Sequence, residues 1–220
     1  MNVPSERPAV VVLVSGEGTN LQALIDAARD GALDARVAAV VSDRAEARGL
    51  ERARRAGIAA LHIPREGYPS REAYERALAE AIDAHAPSAV ILAGFMRILG
   101  PSMVRHYAGR MLNLHPSLLP RFRGLDTHRR VLEAGDSHHG ATVHFVTEDL
   151  DAGPRVLQYR LKVRPDDTVE TLAARVRRGE HVILPRATSW LATGRLRLVG
   201  DEVTLDGETL REPIVIEEGS

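Results

Sequence analysis

A chain of 220 residues, 44% hydrophobic and 27% charged, is long enough to bury its own core and has the make-up of a globular protein. A net charge of -1 argues against nucleic acid or an anionic membrane as main partner. With no cysteine, disulfides, thiol nucleophiles and thiolate metal sites are excluded, which agrees with a reducing, cytoplasmic setting. No apolar run approaches the roughly 18 residues of a membrane-spanning helix.

Residues 1–8 are polar, lack a signal-peptide core, and are expected to form a mobile tail. Residues 9–15 form a continuous apolar, largely β-branched run, the pattern of a strand buried on both faces. The glycine-rich turn 16–20 leads into a helix over 21–29, with Gly31 past its end. Strands are expected at 36–42, 60–63 and 88–93, with helices at 45–56 and from 71 to about 85, the latter capped by Ser70. A short helix at 101–107 precedes a strand at 111–114, and 127–134 is helical. Alternating strands follow at 140–146 and 156–163. Thr168 caps a helix reaching about residue 184 or slightly beyond, and the tail carries a hairpin signal at Asp206-Gly207. This order predicts one α/β domain: a mostly parallel sheet in the first half, with antiparallel strands at one edge after residue 140. In such sheets ligands bind over the carboxyl ends of the strands.

Three stretches lie at those ends. Ser15-Gly-Glu-Gly-Thr-Asn20 turns a strand into a helix, where converging N–H groups favour an anion; it is neither a P-loop nor a full dinucleotide fingerprint, and a plain tight turn remains the alternative. Gly94-Phe-Met-Arg-Ile-Leu99 could wall an aromatic-ligand pocket or simply pack as core. In Met111-Leu-Asn-Leu-His115, strand alternation sends Asn113 and His115 to one side, and Pro116 ends the ladder. This pair is the expected chemical centre. Asp151 in Leu150-Asp-Ala-Gly-Pro154 is either a turn aspartate or a charge partner for His115. Thr142 and His144 share one face, which lines a cleft or faces water. Adjacent His138 and His139 point opposite ways on a strand and cannot readily chelate one ion, so no metal site is expected.

Together the stretches SGEGTNLQALIDA, SREAYERAL, ILAGFMRIL, MLNLHPSLLP, THRRVLEAGD, HGATVHFVTEDLDAGP and ARVRRGEHVILP resemble the glycinamide ribonucleotide formyltransferase family of purine biosynthesis, in order and over nearly the whole chain. The resemblance implies a Rossmann-like formyltransferase fold over residues 1–220, with 195–220 as a C-terminal extension. It implies transfer of a formyl group from 10-formyltetrahydrofolate, as co-substrate, to the glycyl amine of the ribonucleotide, without a metal. By motif, Gly18, Thr19 and Asn20 would hold the phosphate and Glu180 the same substrate. Arg71, Met96, Arg97, Ile98, Leu99 and Asn113 would line the folate site, and Asn113, His115 and Asp151 would be catalytic. Thr142 matches a small hydroxyl residue near the reacting centre. Asp126 and Arg121-Phe122 depart from the family pattern, outside the catalytic motif. On this reading Gly18→Val should weaken the ribonucleotide alone.

The resemblance carries rivals. A hydrolase of 10-formyltetrahydrofolate would be expected to carry a further N-terminal domain, and a transfer-RNA formyltransferase a C-terminal nucleic-acid domain. A non-catalytic folate or nucleotide binder would not need Asn113, His115 and Asp151 together. The expected partners are the two small substrates, with no nucleic acid and no membrane; a homodimer is left open.

Overall fold

Val10, Val12 and Val14 face one side of the first strand, Val11 and Leu13 the other, and none of the five is exposed. A strand sealed on both faces must be central, and it is. In the computed structural model, which describes residues 7–219, β1 (Ala9–Val14) sits between β2 (Arg36–Ser42) and β4 (Ala89–Leu92), parallel to both. β3 (Ala59–His62) extends the sheet beyond β2, and β5 (Met111–His115) lies parallel to β4 on the other side. β6 (His138–Phe145) and β7 (Arg155–Lys162) then add antiparallel, as the alternation after residue 140 predicts.

Helices cover both faces. One cluster holds Leu21 and Leu24 of α1 (Thr19–Arg29), Leu50 and Ala53 of α2 (Arg48–Arg55), Val131 of α5 (Thr127–Ala134) and much of α6 (Val169–Ala192). The opposite cluster holds Tyr74, Leu78 and Ile82 of α3 (Arg71–Asp83) with Met103 and Val104 of α4 (Pro101–His106). Ser70 caps α3 by accepting from Ala73 N at 3.1 Å, and Thr168 forms a capping box with Thr171 at the start of α6.

Four differences from the sequence reading have physical causes. α1 begins at Thr19, two residues early, because Gly18 adopts a left-handed φ of 66° and ends the turn there. α6 runs through Pro185 to Ala192, eight residues past the expected end at 184. Trp190, Leu191 and other side chains beyond the proline are buried, and about 1.5–3 kcal/mol for each large one outweighs the roughly 3 kcal/mol proline penalty. The tail holds more than a hairpin: β8 (Leu196–Val199), β9 (Glu202–Leu205) and β10 (Glu208–Thr209) form a separate antiparallel sheet. β11 (Ile214–Glu217) then returns to pair parallel with β7 and becomes the edge of the eight-stranded sheet. Buried Arg175 draws this last segment in by bonding Asp167, Glu218 and the Lys162 carbonyl. Of the expected mobile tail, residues 1–6 lie outside the described residues. Pro8 is held, its carbonyl accepting from Arg36 N at 2.9 Å, and Arg7 bonds the Ala28 carbonyl.

α6 lies so close to β7 that a Cβ at Gly179 would sit 1.9 Å from Cδ1 and 2.1 Å from Cγ of Tyr159. Alanine normally gains about 0.5–1 kcal/mol over glycine inside a helix. Overlap with a packed ring costs about 1–3 kcal/mol, so the clash should win. Gly179→Ala should lower the urea midpoint, and in a Tyr159→Ala background the same change should raise it. A raised midpoint in the parent protein would show that the ring yields freely.

Candidate active site

β5 delivers two polar side chains to one face because strand side chains alternate: Met111, Leu112 and Leu114 are buried as expected, with Asn113 and His115 between and after them. β6 runs antiparallel beside it in a register that sets His144 opposite Asn113 and Thr142 opposite His115. The chain turns at Pro116, so the cluster sits where the ladder ends.

Asp151 joins them from the loop between β6 and β7. Its φ of 50° is left-handed, which for a non-glycine residue costs of order 1–3 kcal/mol. Contacts on both carboxylate oxygens hold it there. Oδ2 accepts from Gly124 N at 3.0 Å and lies 3.3 Å from His115 Nδ1. Oδ1 accepts from Asn113 Nδ2 at 3.4 Å and lies 3.8 Å from His144 Nε2. The other nitrogen of His115, Nε2, meets the Phe122 carbonyl at 2.9 Å. The ring is thus held between a backbone carbonyl on one side and a carboxylate on the other.

His144 is surrounded differently. Its Nδ1–H donates to the Phe145 carbonyl at 2.9 Å, which leaves Nε2 to accept from Asn113 Nδ2 at 3.1 Å. Burial pushes its pKa down to about 4, so the ring is neutral near pH 7. A neutral acceptor at that point requires the NH2 of Asn113 to face it, which fixes the orientation of the amide. The polar face of β6 therefore splits. His144 lines a cleft, whereas Thr142 is fully buried and braces the turn, donating to the Ser117 carbonyl at 2.7 Å and accepting from Leu119 N at 3.1 Å.

The cleft has a volume of about 740 Å³ and opens over the carboxyl ends of β1, β4 and β5. On one side are Thr19 and Asn20 in the first turn of α1, where backbone N–H groups lack helical partners. Asn20 Nδ2 donates to buried Glu180 at 2.9 Å, joining this turn to α6. Burial raises the Glu180 pKa, partly offset by the Asn20 bond and the nearby Arg177 charge. Gly18 does not line the cleft. A Cβ there would meet Gly49 Cα at 2.6 Å, so Gly18→Val would unseat the loop from α2 rather than touch one ligand alone, and the expectation of a clean effect is corrected.

On another side the segment 94–99 presents Met96 and Ile98, 65% and 63% exposed, while Leu99 is buried. Arg97 is tied to Asp43 at 2.8 Å. Arg71 stands behind this wall and outside the cleft lining, donating to the Ile98 carbonyl at 2.6 Å and to Glu75 at 2.8 Å. His138 is exposed beside Ser137, whereas His139 is buried against His128 with Nε2 and Nδ1 2.9 Å apart. Among the described residues no group of three or more His, Cys, Asp or Glu is placed to hold a metal ion.

The structure thus brings Asn113, His115 and Asp151 together and adds groups the sequence reading did not assign: His144 as a partner of Asn113, His128 and Arg177 in the lining, and the backbone of Phe122 and Gly124. Arg177 had a signal, since it sits one helical turn before Glu180 and shares its face. The Phe122 carbonyl had none, because its reach to His115 depends on a left-handed φ of 55° that phenylalanine does not announce.

An α/β sheet with a titratable cluster at its strand ends and an anion-favouring helix start defines a group-transfer enzyme of the doubly wound kind. Residues 9–188 match the formyl transferase family model, and the chain belongs to that family. It is 52% identical to Escherichia coli phosphoribosylglycinamide formyltransferase over 91% of this chain and 95% of that one. The human trifunctional purine biosynthetic protein adenosine-3 is 44% identical over 88% of this chain and 19% of its own length. The Coxiella burnetii phosphoribosylglycinamide formyltransferase structure superposes with a TM-score of 0.91 at 50% identity, covering 95% of this chain and all of that one. A Pseudomonas syringae formyltetrahydrofolate deformylase is more distant, with a TM-score of 0.83 at 28% identity over 91% of this chain and 66% of its own.

Two buried histidines set an acid limit. Burial pushes His144 down to about 4 and His139 down to about 3, against about 6.5 for a free histidine. Between those values and pH 6.5 the unfolded chain binds more protons than the folded one, so stability rises with pH in that window. It should be complete above about pH 6.5 and fall as pH drops toward 4. Urea midpoints measured from pH 8 to 4.5 should show this slope, and His144→Asn should flatten it; an equal slope in the variant would remove His144 from the account.

Proposed function

We infer that this enzyme transfers the formyl group of 10-formyltetrahydrofolate to the glycyl amine of glycinamide ribonucleotide, a step of purine biosynthesis. The observation that carries the reading is the meeting of Asn113, His115 and Asp151 at one strand end, inside a cleft with an anion-favouring side and an apolar side. Its volume of about 740 Å³ falls within the range of small-molecule sites.

The chemistry asks for donors where charge develops. The amine attacks the formyl carbon, and the formyl oxygen becomes negative. Asn113 N–H and His115 N–H are suited to that oxygen in a partly dry site. His115 reaches it by exchanging its Phe122 acceptor for the formyl oxygen. Asn113 does so by giving up its longer bond, the one to Asp151. Asp151 stays behind as charge partner and alignment post for His115. As the carbon–nitrogen bond of the donor breaks, N10 gains a proton, which His115 or a water held by Asp151 can relay. The donor is already an activated acyl compound, so the step calls for no metal.

On the ribonucleotide side, Thr19 and Asn20 at the α1 start and Arg177 suit the phosphate, and Glu180 suits a ribose hydroxyl. Met96, Ile98 and Leu99 suit the flat apolar folate, with Arg71 and Arg97 shaping that wall. A phosphate-binding side favours transfer over simple hydrolysis of the formyl donor. The two small substrates suffice as partners, and the setting is cytoplasmic.

An absorbance assay of formyl-folate consumption should therefore depend on added glycinamide ribonucleotide; equal consumption without it would favour a hydrolase. Asp151→Asn and His115→Ala should each lower kcat by about 10²–10³ or more, and the double variant should lose far less than the product of the two. Multiplicative losses would show that the pair does not act as a unit. Arg177→Ala should raise the KM for the ribonucleotide by about tenfold, the worth of one charge-assisted contact, with little change for the folate. An unchanged ribonucleotide KM would take Arg177 out of the phosphate site.

A further inference from the structure

The wall at 94–99 is anchored in the core by Leu99 and partly by Phe95, but its middle turns two large apolar side chains outward, where hydrophobic burial does little to hold it. Met96 and Ile98 are the exposed ones, and Gly94 starts the segment with a φ of 82°. There its shape relies on polar anchors: Arg71, bound to Glu75, holds the Ile98 carbonyl, and the anchors at residues 94–97 converge on one buried carboxylate. Asp43, just past β2, has a side chain only 3% exposed. Its Oδ1 accepts from the Ser15 hydroxyl at 2.6 Å, and its Oδ2 accepts from Arg97 Nε at 2.8 Å. Ser15 Oγ in turn accepts from Met96 N at 2.9 Å, and Ser15 N donates to the Gly94 carbonyl at 3.0 Å. The ends of β1, β2 and β4 are thereby laced together through a single side chain.

We propose that Asp43 is a positioning residue for the formyl-donor site, holding the 94–99 wall against the end of β1 through Ser15 and Arg97. The proposal rests on the reading of that wall as the folate side. Asp43 is absent from the cleft lining, so it acts through Arg97 and Met96 rather than on a ligand. The Arg97 guanidinium lies 5.7 Å from the Tyr74 ring centroid and 3.8 Å from Glu66. Glu66 is largely exposed and is a weak substitute for Asp43. Losing Asp43 would leave Arg97 without its short buried partner and Met96 N tied to a hydroxyl that can swing.

The lacing also explains why the effect should be one-sided. Ser15 directly precedes the turn at 16–20, but that turn has its own supports: Gly49 N donates to the Gly16 carbonyl at 3.1 Å, and Arg52 bonds the Glu17 carbonyl at 2.9 Å. The phosphate side should therefore keep its shape when the wall relaxes.

The test compares Asp43→Ala, Asp43→Asn and Ser15→Ala, with folding checked by urea midpoint. Tetrahydrofolate binding is read by calorimetry, and both KM values by the formyl-transfer assay. Asp43→Ala should raise the KM for 10-formyltetrahydrofolate and the Kd for tetrahydrofolate about tenfold, as expected for the loss of a charge-assisted anchor. The ribonucleotide KM should move less than about twofold and kcat less than about threefold. Asp43→Asn should recover most of the loss, since its amide can accept from Arg97 and donate to Ser15 in the same volume. An equal rise in both KM values, or none, would overturn the proposal. Should Asp43→Ala not fold, Ser15→Ala decides alone by the same split. Parent protein that binds no tetrahydrofolate would refute the folate reading itself; parent and variants binding equally well would refute only the role of Asp43.

Discussion

The site depends on a carboxylate held in an unfavourable backbone. Asp151 sits in the left-handed region, on a loop, and still meets Asn113, His115 and the Gly124 amide. A loop residue freed of those contacts would relax toward ordinary φ, so the geometry persists only while the polar groups around it stay in register. That register is set by β5 against β6, where backbone ladder bonds fix Asn113 opposite His144 and His115 opposite Thr142. A one-residue slip would turn every one of these side chains to the other face. The sheet thus serves the chemistry by removing that freedom, with Val143 and Phe145 buried on the far side of β6 as the hydrophobic lock.

Two histidines on neighbouring strands have different surroundings. His115 lies between the Phe122 carbonyl at Nε2 and the Asp151 carboxylate at Nδ1. His144 has a carbonyl acceptor on one nitrogen and an amide donor on the other, so its bonding favours one proton. Asp151 lies nearer to His115 than to His144, at 3.3 Å against 3.8 Å. A neutral His144 adds no second positive charge beside His115 in a buried site. It also keeps Asn113 pinned by a group that does not change charge near neutral pH.

Much of this was legible in the residues. Continuous apolar runs marked the central parallel strands, and alternation after residue 140 marked the antiparallel ones, because burial on two faces or one is written directly in side-chain polarity. Asn113 and His115 stood out because each breaks an apolar pattern at a strand end. What stayed hidden depended on distance or on backbone conformation. The family resemblance assigns Asn20 and Glu180 to one substrate, but their direct bond across 160 positions is not encoded in either neighbourhood. The continuation of α6 past Pro185 reversed a local rule, since local propensity lost to tertiary burial. β11 was missed because Ile214–Glu217 is too short to read alone and is recruited by Arg175 and β7.

The same separation of local from long-range control bears on how the two substrate sides are built. The proposed anion side combines a local unit, the turn after β1 with the first turn of α1, and one face of the distant α6 carrying Arg177 and Glu180. Backbone N–H groups and a helix start do most of that work, and they come with the fold. The proposed folate side has no such inheritance. Its wall is a loop with Met96 and Ile98 turned outward, hung from buried Asp43 at one end and, through Arg71 and the Gly100 amide, from buried Glu75 at the other. A surface that must stay apolar to receive a flat ligand cannot also hold itself in place by hiding those side chains. The cost of exposing Met96 and Ile98 is met by charged anchors, Asp43 and Arg71–Glu75 behind the loop and Arg97 within it, which fix where the wall stands.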